Sequence, residues 1–259
     1  MELLGTGLVG SGPLGVVVLN DWISDAWSWG PTRPYLDTGR CTWALTDLRG
    51  YGRSRHLPGP HDLRTAVADV LALADSLGWA RFAVVGHSMS SLVALHLAQH
   101  CPDRLVRAAV LCPPPPAGFG ADEAGLAAPR AVARGDDEVR RARLSQMWGE
   151  RLGASWLELK LRRWREAADP EAVAGYVAMF ARDGLPEPAA PVRVPLLAVT
   201  GEEDVPVMRA AAVRELLAPL RPDVEVVPLA QVGHYPMQEA PPLLAAVLGR
   251  FLAQAPAGT

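Results

Sequence analysis

The sequence predicts an α/β protein, with a mainly parallel central sheet flanked by helices and a helical segment inserted late in the chain. Three observations carry this reading. Short apolar runs of buried-strand composition (residues 16–19, 82–85, 105–111 and 194–200) alternate with helical patterns, which calls for right-handed crossovers between parallel strands. One run ends in Gly86-His87-Ser88-Met89-Ser90 and passes at once into a helical pattern, giving strand, tight turn with a central serine, and helix. From Pro113-Pro114-Pro115-Pro116 to residue 193 no convincing strand occurs, and amphipathic helical patterns take over.

Length and composition agree. A chain of 259 residues is long enough for one large core. Apolar residues make up 49% and charged residues 20%, which excludes a disordered chain. The net charge of −3, without a basic block, excludes a nucleic-acid surface. Lys160 is the single lysine, which reads as the codon bias of a GC-rich genome. Cys41, Cys101 and Cys112 have neither disulfide-framework nor metal-cluster spacing. The expectation is a cytoplasmic protein with no metal and no cofactor. Residues 3–19 carry no charge, but five glycines and Pro13 interrupt them and no Lys or Arg precedes them, so neither a signal peptide nor a membrane span is expected. Nothing fixes the oligomeric state.

The first glycines, Gly5, Gly7 and Gly10, formally spell G-x-G-x-x-G, yet the run leads into a strand where a dinucleotide fingerprint must open a helix. A glycine-rich strand and hairpin turn is the expectation. Residues 16–19 form a buried strand ending in Asn20-Asp21-Trp22, and Ser24 or Asp25 is placed to cap a short helix carrying Trp27. Residues 42–46 read as the next strand, followed by the tight loop Asp47-Leu-Arg-Gly-Tyr-Gly-Arg-Ser54. Apolar residues from Leu63 to Leu77 keep helical spacing, and Gly78 ends that helix. After the Ser88 turn, its helix and the strand at 105–111, residues 113–192 form the insertion. Its helices are expected near 136–151, 154–168 and 170–182. Residues 1–112 and 193–259 make the core. The strand at 194–200 ends in Gly201-Glu202-Glu203-Asp204. A helix (about 206–217), a strand (224–229), the loop with Gly233-His234-Tyr235 and a last helix (about 239–253) complete the chain.

A serine hydroxyl is a weak nucleophile until a base takes its proton, and the base needs a partner that fixes its tautomer. The Ser88 turn has the context of a nucleophile elbow. His234 and Asp204 fall on loops after the last two strands, where catalytic groups in open α/β sheets gather, with Glu202 and Glu203 as competitors of Asp204 for the acid's place. The order Ser88, Asp204, His234 is the one such an elbow predicts. An oxyanion would be held by the N–H of Met89, directly after the serine, and that of Trp22, in the loop after the first buried strand. His87 is placed to line the wall, with Asp21, Tyr235 and the aromatics Trp148, Trp156, Trp164 and Phe180 of the insertion as further pocket residues.

These motifs resemble the α/β-hydrolases that carry an inserted helical lid. Asp47–Ser54, Gly86–Ser90, Gly201–Asp204 and Gly233-His234 carry the resemblance in the same order, over nearly the whole chain. It implies a Ser88–His234–Asp204 triad and a pocket between sheet and lid. Two departures stand out. Ser90 replaces the second glycine of the elbow, and Asn20-Asp21 stands where many relatives have His-Gly. Asn20-Asp21-Trp22-Ile23-Ser24-Asp25 is also similar to the Trp-x-x-Asp loop of cofactor-independent ring-opening dioxygenases. Those share the fold and use a His/Asp dyad as base. The expected function is hydrolysis of an ester, lactone or thioester of a small apolar or aromatic molecule. The alternatives are a cofactor-free dioxygenase or a tailoring lyase or cyclase with His234 as base, and a non-catalytic binding module.

Overall fold

The computed structural model describes residues 2–148, 151–186 and 191–255, without the side chains of 146–148. Seven strands form one sheet: β1 (Thr6–Val9), β2 (Leu14–Leu19), β3 (Cys41–Thr46), β4 (Phe82–His87), β5 (Leu105–Leu111), β6 (Leu196–Gly201) and β7 (Glu225–Leu229). Their spatial order is β1-β3-β2-β4-β5-β6-β7, and every neighbouring pair is parallel except β1 with β3. The expected hairpin between the first two strands does not form, because both pair with β3 from opposite sides. Glycine-rich β1 becomes the sheet's edge strand.

Strands β2, β4, β5 and β6 are buried along their whole length, which is why they read as unbroken apolar runs instead of alternating ones. Edge strand β7 is only partly covered, with Val226 and Leu229 buried and Glu225 and Pro228 exposed. Among the helices outside the insertion, α1 (Leu63–Ser76) is capped by Asp62, whose carboxylate accepts from Thr65 N–H at 2.8 Å. Gly78 follows at φ +72°, the left-handed conformation that ends a helix. Helix α2 (Ser91–His100) packs on β4 and β5.

Between adjacent strands β5 and β6 lie four helices: α3 (Ala127–Arg134), α4 (Asp137–Trp148), α5 (Ala154–Ala167) and α6 (Pro170–Ala178), the last extended by a π-turn over Met179–Asp183. The sequence reading missed α3, whose Ala-rich stretch has few large apolar residues to mark a period. The chain then adds α7 (Ala210–Leu217), the single-turn α8 (Pro236–Glu239), which the sequence did not mark, and α9 (Pro241–Ala253), which is the expected final helix.

The insertion docks on the loops at the carboxyl ends of β2 and β3. Asp169 N–H donates to Gly50 O at 2.9 Å, Trp22 Nε1–H to Val173 O at 2.7 Å, and Arg163 pairs with Asp25 at 2.5 Å. Among the described residues no helix is long and apolar enough to cross a membrane.

The end of β4 is closely packed at Gly86, where a Cβ would stand 2.4 Å from Ser90 O. Gly86→Ala must push the turn off the strand, and forced overpacking of this kind costs about 1–3 kcal/mol. Thermal unfolding of Gly86→Ala is expected at a lower midpoint, by several degrees; an unchanged midpoint would contradict this packing.

Candidate active site

The turn after β4 places Ser88 at φ +52°, a left-handed conformation that a residue with a Cβ adopts at a cost. The turn is braced from within. Ser90 Oγ accepts from His87 N–H at 2.9 Å and donates to His87 O at 3.0 Å. The departure at Ser90 therefore has a physical reason: its hydroxyl folds back into the turn, where a glycine could offer no bond.

Asp204 and His234 come to Ser88 from the loops after β6 and β7. His234 Nε2 lies 3.0 Å from Ser88 Oγ and His234 Nδ1 lies 2.8 Å from Asp204 Oδ2. The other Asp204 oxygen accepts from Val205 N–H at 2.7 Å. Burial alone would lower the His234 pKa, but the charge of Asp204 and its hydrogen bond raise it above the ordinary histidine value. The same pairing outweighs burial at Asp204 and holds its carboxyl below the ordinary range. The arrangement is a proton path from hydroxyl to imidazole, anchored by a carboxylate.

Two groups hold the His234 loop, and the sequence marked neither for that task. Glu239 accepts from Gly233 N–H at 2.8 Å and Tyr235 N–H at 3.0 Å. His87 Nε2 is 2.7 Å from His234 O and donates to it. Burial pushes the His87 pKa down to about 4, so its ring is neutral at pH 7 and serves as a prop.

The loop after β2 carries Trp22, and β3's loop fixes it. Asn20 Nδ2 donates to the carbonyls of Asp21 (2.8 Å) and Ser24 (2.9 Å), while its Oδ1 accepts from Leu48 N–H at 2.8 Å. Asp47 accepts from Ala26 N–H at 2.7 Å, and Tyr51 O–H donates to Trp22 O at 2.7 Å. Gly52, at φ +46°, passes so close to Asp47 that a Cβ would lie 2.5 Å from its carboxyl carbon. The motif Asp47–Ser54 is thus a clamp for the Trp22 loop. Met89 N–H opens a helical turn, where the first N–H groups lack intrahelical partners.

A cavity of about 290 Å³ has Ser88, Met89, Trp22, His234, Asp204 and Asp21 in its wall, together with Phe180 and Arg143 from the insertion. A larger groove of about 470 Å³ lies beside Asp25, Asp47 and Arg163, and none of Ser88, His234 and Asp204 lines it. Ser88, His234 and Asp204 all open onto the smaller cavity.

Of the other pocket residues named from sequence, Asp21 and Phe180 reach this cavity. His87, Tyr235, Trp164 and Trp156 stand behind its wall. Phe180 meets the Trp22 ring edge-on at 5.2 Å, and Trp164 lies 6.3 Å from the same ring. Trp156 lies 5.9 Å from Tyr235. The Trp148 side chain lies outside the described residues. Asp21 is buried, and its two oxygens accept from Ser24 Oγ and Tyr235 O–H. Burial works against its charge; His87, Lys160 and these hydroxyls outweigh burial and bring its pKa below the ordinary value. With His87 neutral, Lys160 is the cation that matters. Its Nζ sits 3.7 Å over the Tyr235 ring, and burial lowers its pKa to about 8. Asp25, the acid of the Trp-x-x-Asp pattern, pairs with Arg163 and lines the other groove. Cys112, Asp204 and His234 offer ligand atoms within 4.8 Å of one another, but the two latter are already bonded to each other.

Comparison with known proteins matches residues 16–247 to the family model described as "Alpha/beta hydrolase family". RutD of Caulobacter sp. (strain K31), a protein named for carbamate hydrolysis, is 36% identical over 110 residues, which are 42% of this chain and 35% of RutD. The match thus spans about a third of that relative's length. The enol-lactonase of Burkholderia xenovorans LB400 superposes with a TM-score of 0.80 at 26% identity, covering 97% of this chain and 96% of that one. A thermophilic esterase from Thermogutta terrifontis gives 0.83 at 22% identity, covering 97% and 93%, and shows the shared fold.

The His234 environment sets a sign that can be measured. Its imidazole should titrate above the ordinary value of about 6.5. In Asp204→Asn the anion that favours the protonated ring is gone, and the pKa should fall. Nitrogen-15 NMR of His234 checks both; a pKa unmoved by Asp204→Asn would refute the assignment of the shift to Asp204.

Proposed function

The chain belongs to the alpha/beta hydrolase family, and from that premise we propose that it is a serine hydrolase. Its substrate is an ester, lactone or thioester of a small, largely apolar or aromatic molecule, cleaved through an acyl-enzyme on Ser88. The observation that carries this reading is the unbroken hydrogen-bond chain from Asp204 through His234 to Ser88, ending at the cavity wall.

In this reading His234 takes the Ser88 proton as Oγ attacks the carbonyl carbon. The resulting oxyanion is held by Met89 N–H and Trp22 N–H, each such donor being worth about 3 kcal/mol in the transition state. His234 then delivers its proton to the leaving oxygen or sulfur. Water, deprotonated by His234, releases the acid and restores Ser88. Asp204 keeps the tautomer with Nε2 facing Ser88 and stabilises the imidazolium. No step needs a metal or an organic cofactor. Residues 113–192 act as the lid, and Phe180 lends the pocket an aromatic wall. The named activities of RutD and the Burkholderia enzyme, a carbamate and an enol-lactone hydrolysis, both cleave acyl compounds and fall within this chemistry.

Mutants separate this from His234-only chemistry. Ser88→Ala is expected to lower kcat on an activated ester by at least about 10⁴-fold, and Asp204→Asn by about 10³–10⁴-fold. A fluorophosphonate should label wild type at Ser88 and leave Ser88→Ala unlabelled. Retention of most turnover by Ser88→Ala, or oxygen consumption during turnover, would replace the hydrolase with a base-only or oxygenase mechanism.

A further inference from the structure

One arginine of the insertion stands apart from the others. The insertion holds ten arginines, and eight form ion pairs with a carboxylate. Arg162 is exposed to solvent. Arg143, on α4, is half-buried in the wall of the Ser88 cavity, and among the described residues it makes no hydrogen bond or ion pair.

A guanidinium withdrawn from water and left without an anion is costly, because burial penalises the charged form. Burial indeed lowers the Arg143 pKa. The cavity contains two carboxylates that might have answered it. Asp204 is bound by His234 and Val205 N–H, and Asp21 by Ser24 and Tyr235. Neither forms a hydrogen bond or ion pair with Arg143. Among the described residues, therefore, no carboxylate serves as its counter-anion.

We propose that Arg143 recognises a carboxylate on the substrate, so that the compound cleaved at Ser88 is an ester, lactone or thioester that also carries a free acid. The guanidinium offers a planar fork of donors that matches a carboxylate in two parallel bonds. It stands in the same cavity of about 290 Å³ as the nucleophile, so a short acid-bearing substrate reaches both. The remaining wall, with Phe180, Phe119 and Met208, is apolar and raises the worth of that single charge contact. The inference rests on the hydrolase reading for its catalytic half and on Arg143 alone for its recognition half.

Two matched substrate pairs test it: mono-p-nitrophenyl glutarate against its methyl ester, and 4-acetoxybenzoate against methyl 4-acetoxybenzoate. The first pair puts the acid on the acyl side and the second on the leaving group. Wild type should prefer the acid member of at least one pair by ten-fold or more in kcat/KM, mainly through KM. Arg143→Gln should reduce that ratio at least ten-fold, and Arg143→Lys should restore part of it. No preference in either pair, or a preference that survives Arg143→Gln, overturns the proposal while leaving the hydrolase reading intact.

Binding separates the two readings further. Ser88→Ala protein, titrated with glutarate and followed by tryptophan fluorescence, should bind it in a salt-sensitive manner, and adding Arg143→Gln should weaken binding at least ten-fold. That result sustains Arg143 as a carboxylate site even if no ester is turned over. Glutarate binding equal in both proteins, with both melting at the same temperature, counts against it.

Discussion

A serine forced into a left-handed backbone at the end of a fully buried strand is the constraint on which the rest of this molecule depends. The conformation at Ser88 costs of order 1–3 kcal/mol and persists only where the surroundings over-determine it. Here they do so from three sides. Strand β4 is locked between β2 and β5, Gly86 lets the Ser90 backbone close to within a distance no Cβ tolerates, and the Ser90 hydroxyl bonds both polar atoms of the His87 backbone. The result lifts the Ser88 hydroxyl off the sheet and leaves the adjoining N–H of Met89 at the opening of a helical turn. The strain is thus inseparable from the geometry that faces the cavity.

The other elements of the site are held just as firmly, each by a neighbour that does not reach the cavity. Glu239 and His87 fix the His234 loop through its backbone. Asn20, Asp47 and Tyr51 fix the Trp22 loop in the same way. Backbone bonds of this kind restrain position without competing for the side chains that face the cavity. A site assembled from three loops needs such bracing, because misplacement by 1 Å can cost about 10²-fold in rate.

Much of this was legible in the sequence. The buried strands announce themselves as apolar runs, and the serine turn is recognisable because strand and helix flank it. Asp204 and His234 follow from chain order, since the sheet brings consecutive strand ends together. What escaped is informative. The hairpin expected at the glycine-rich start fails because pairing partners are chosen in three dimensions, and β3 outcompetes β2 for β1. Helix α3 is eight residues long, with Val132 as its one large aliphatic residue, too little to mark an apolar face in sequence. Trp156 and Trp164 look like pocket aromatics from composition, yet they pack against Tyr235 and Trp22 behind the wall. Which face of a helix meets the cavity depends on how α5 lands on the core, and no local pattern encodes that. Arg143 is hidden for the same reason. Among many arginines it differs in standing in the cavity wall with no acid paired to it among the described residues, which is a property of the fold.

Lys160 shows the same lesson from the opposite direction. In a chain that otherwise uses arginine, one lysine reads as compositional noise. Yet it is the residue that stands, fully buried, 3.7 Å over the Tyr235 ring while Tyr235 donates to Asp21. An arginine there would bring a wide guanidinium with five donors, each needing a partner in a space lined by rings. The ammonium is compact, and a ring face can answer part of its charge. Its position also resolves the departure at Asp21. A carboxylate beside a proposed oxyanion donor would repel the developing charge if it stood alone. Bonded to Ser24 and Tyr235 and opposed by Lys160, it has its charge balanced within a buried group. Because Lys160 comes from α5 of the insertion and Asp21 from the core, the balance exists only when the two are packed together. The electrostatics of the Trp22 side of the cavity are therefore a consequence of how the insertion docks.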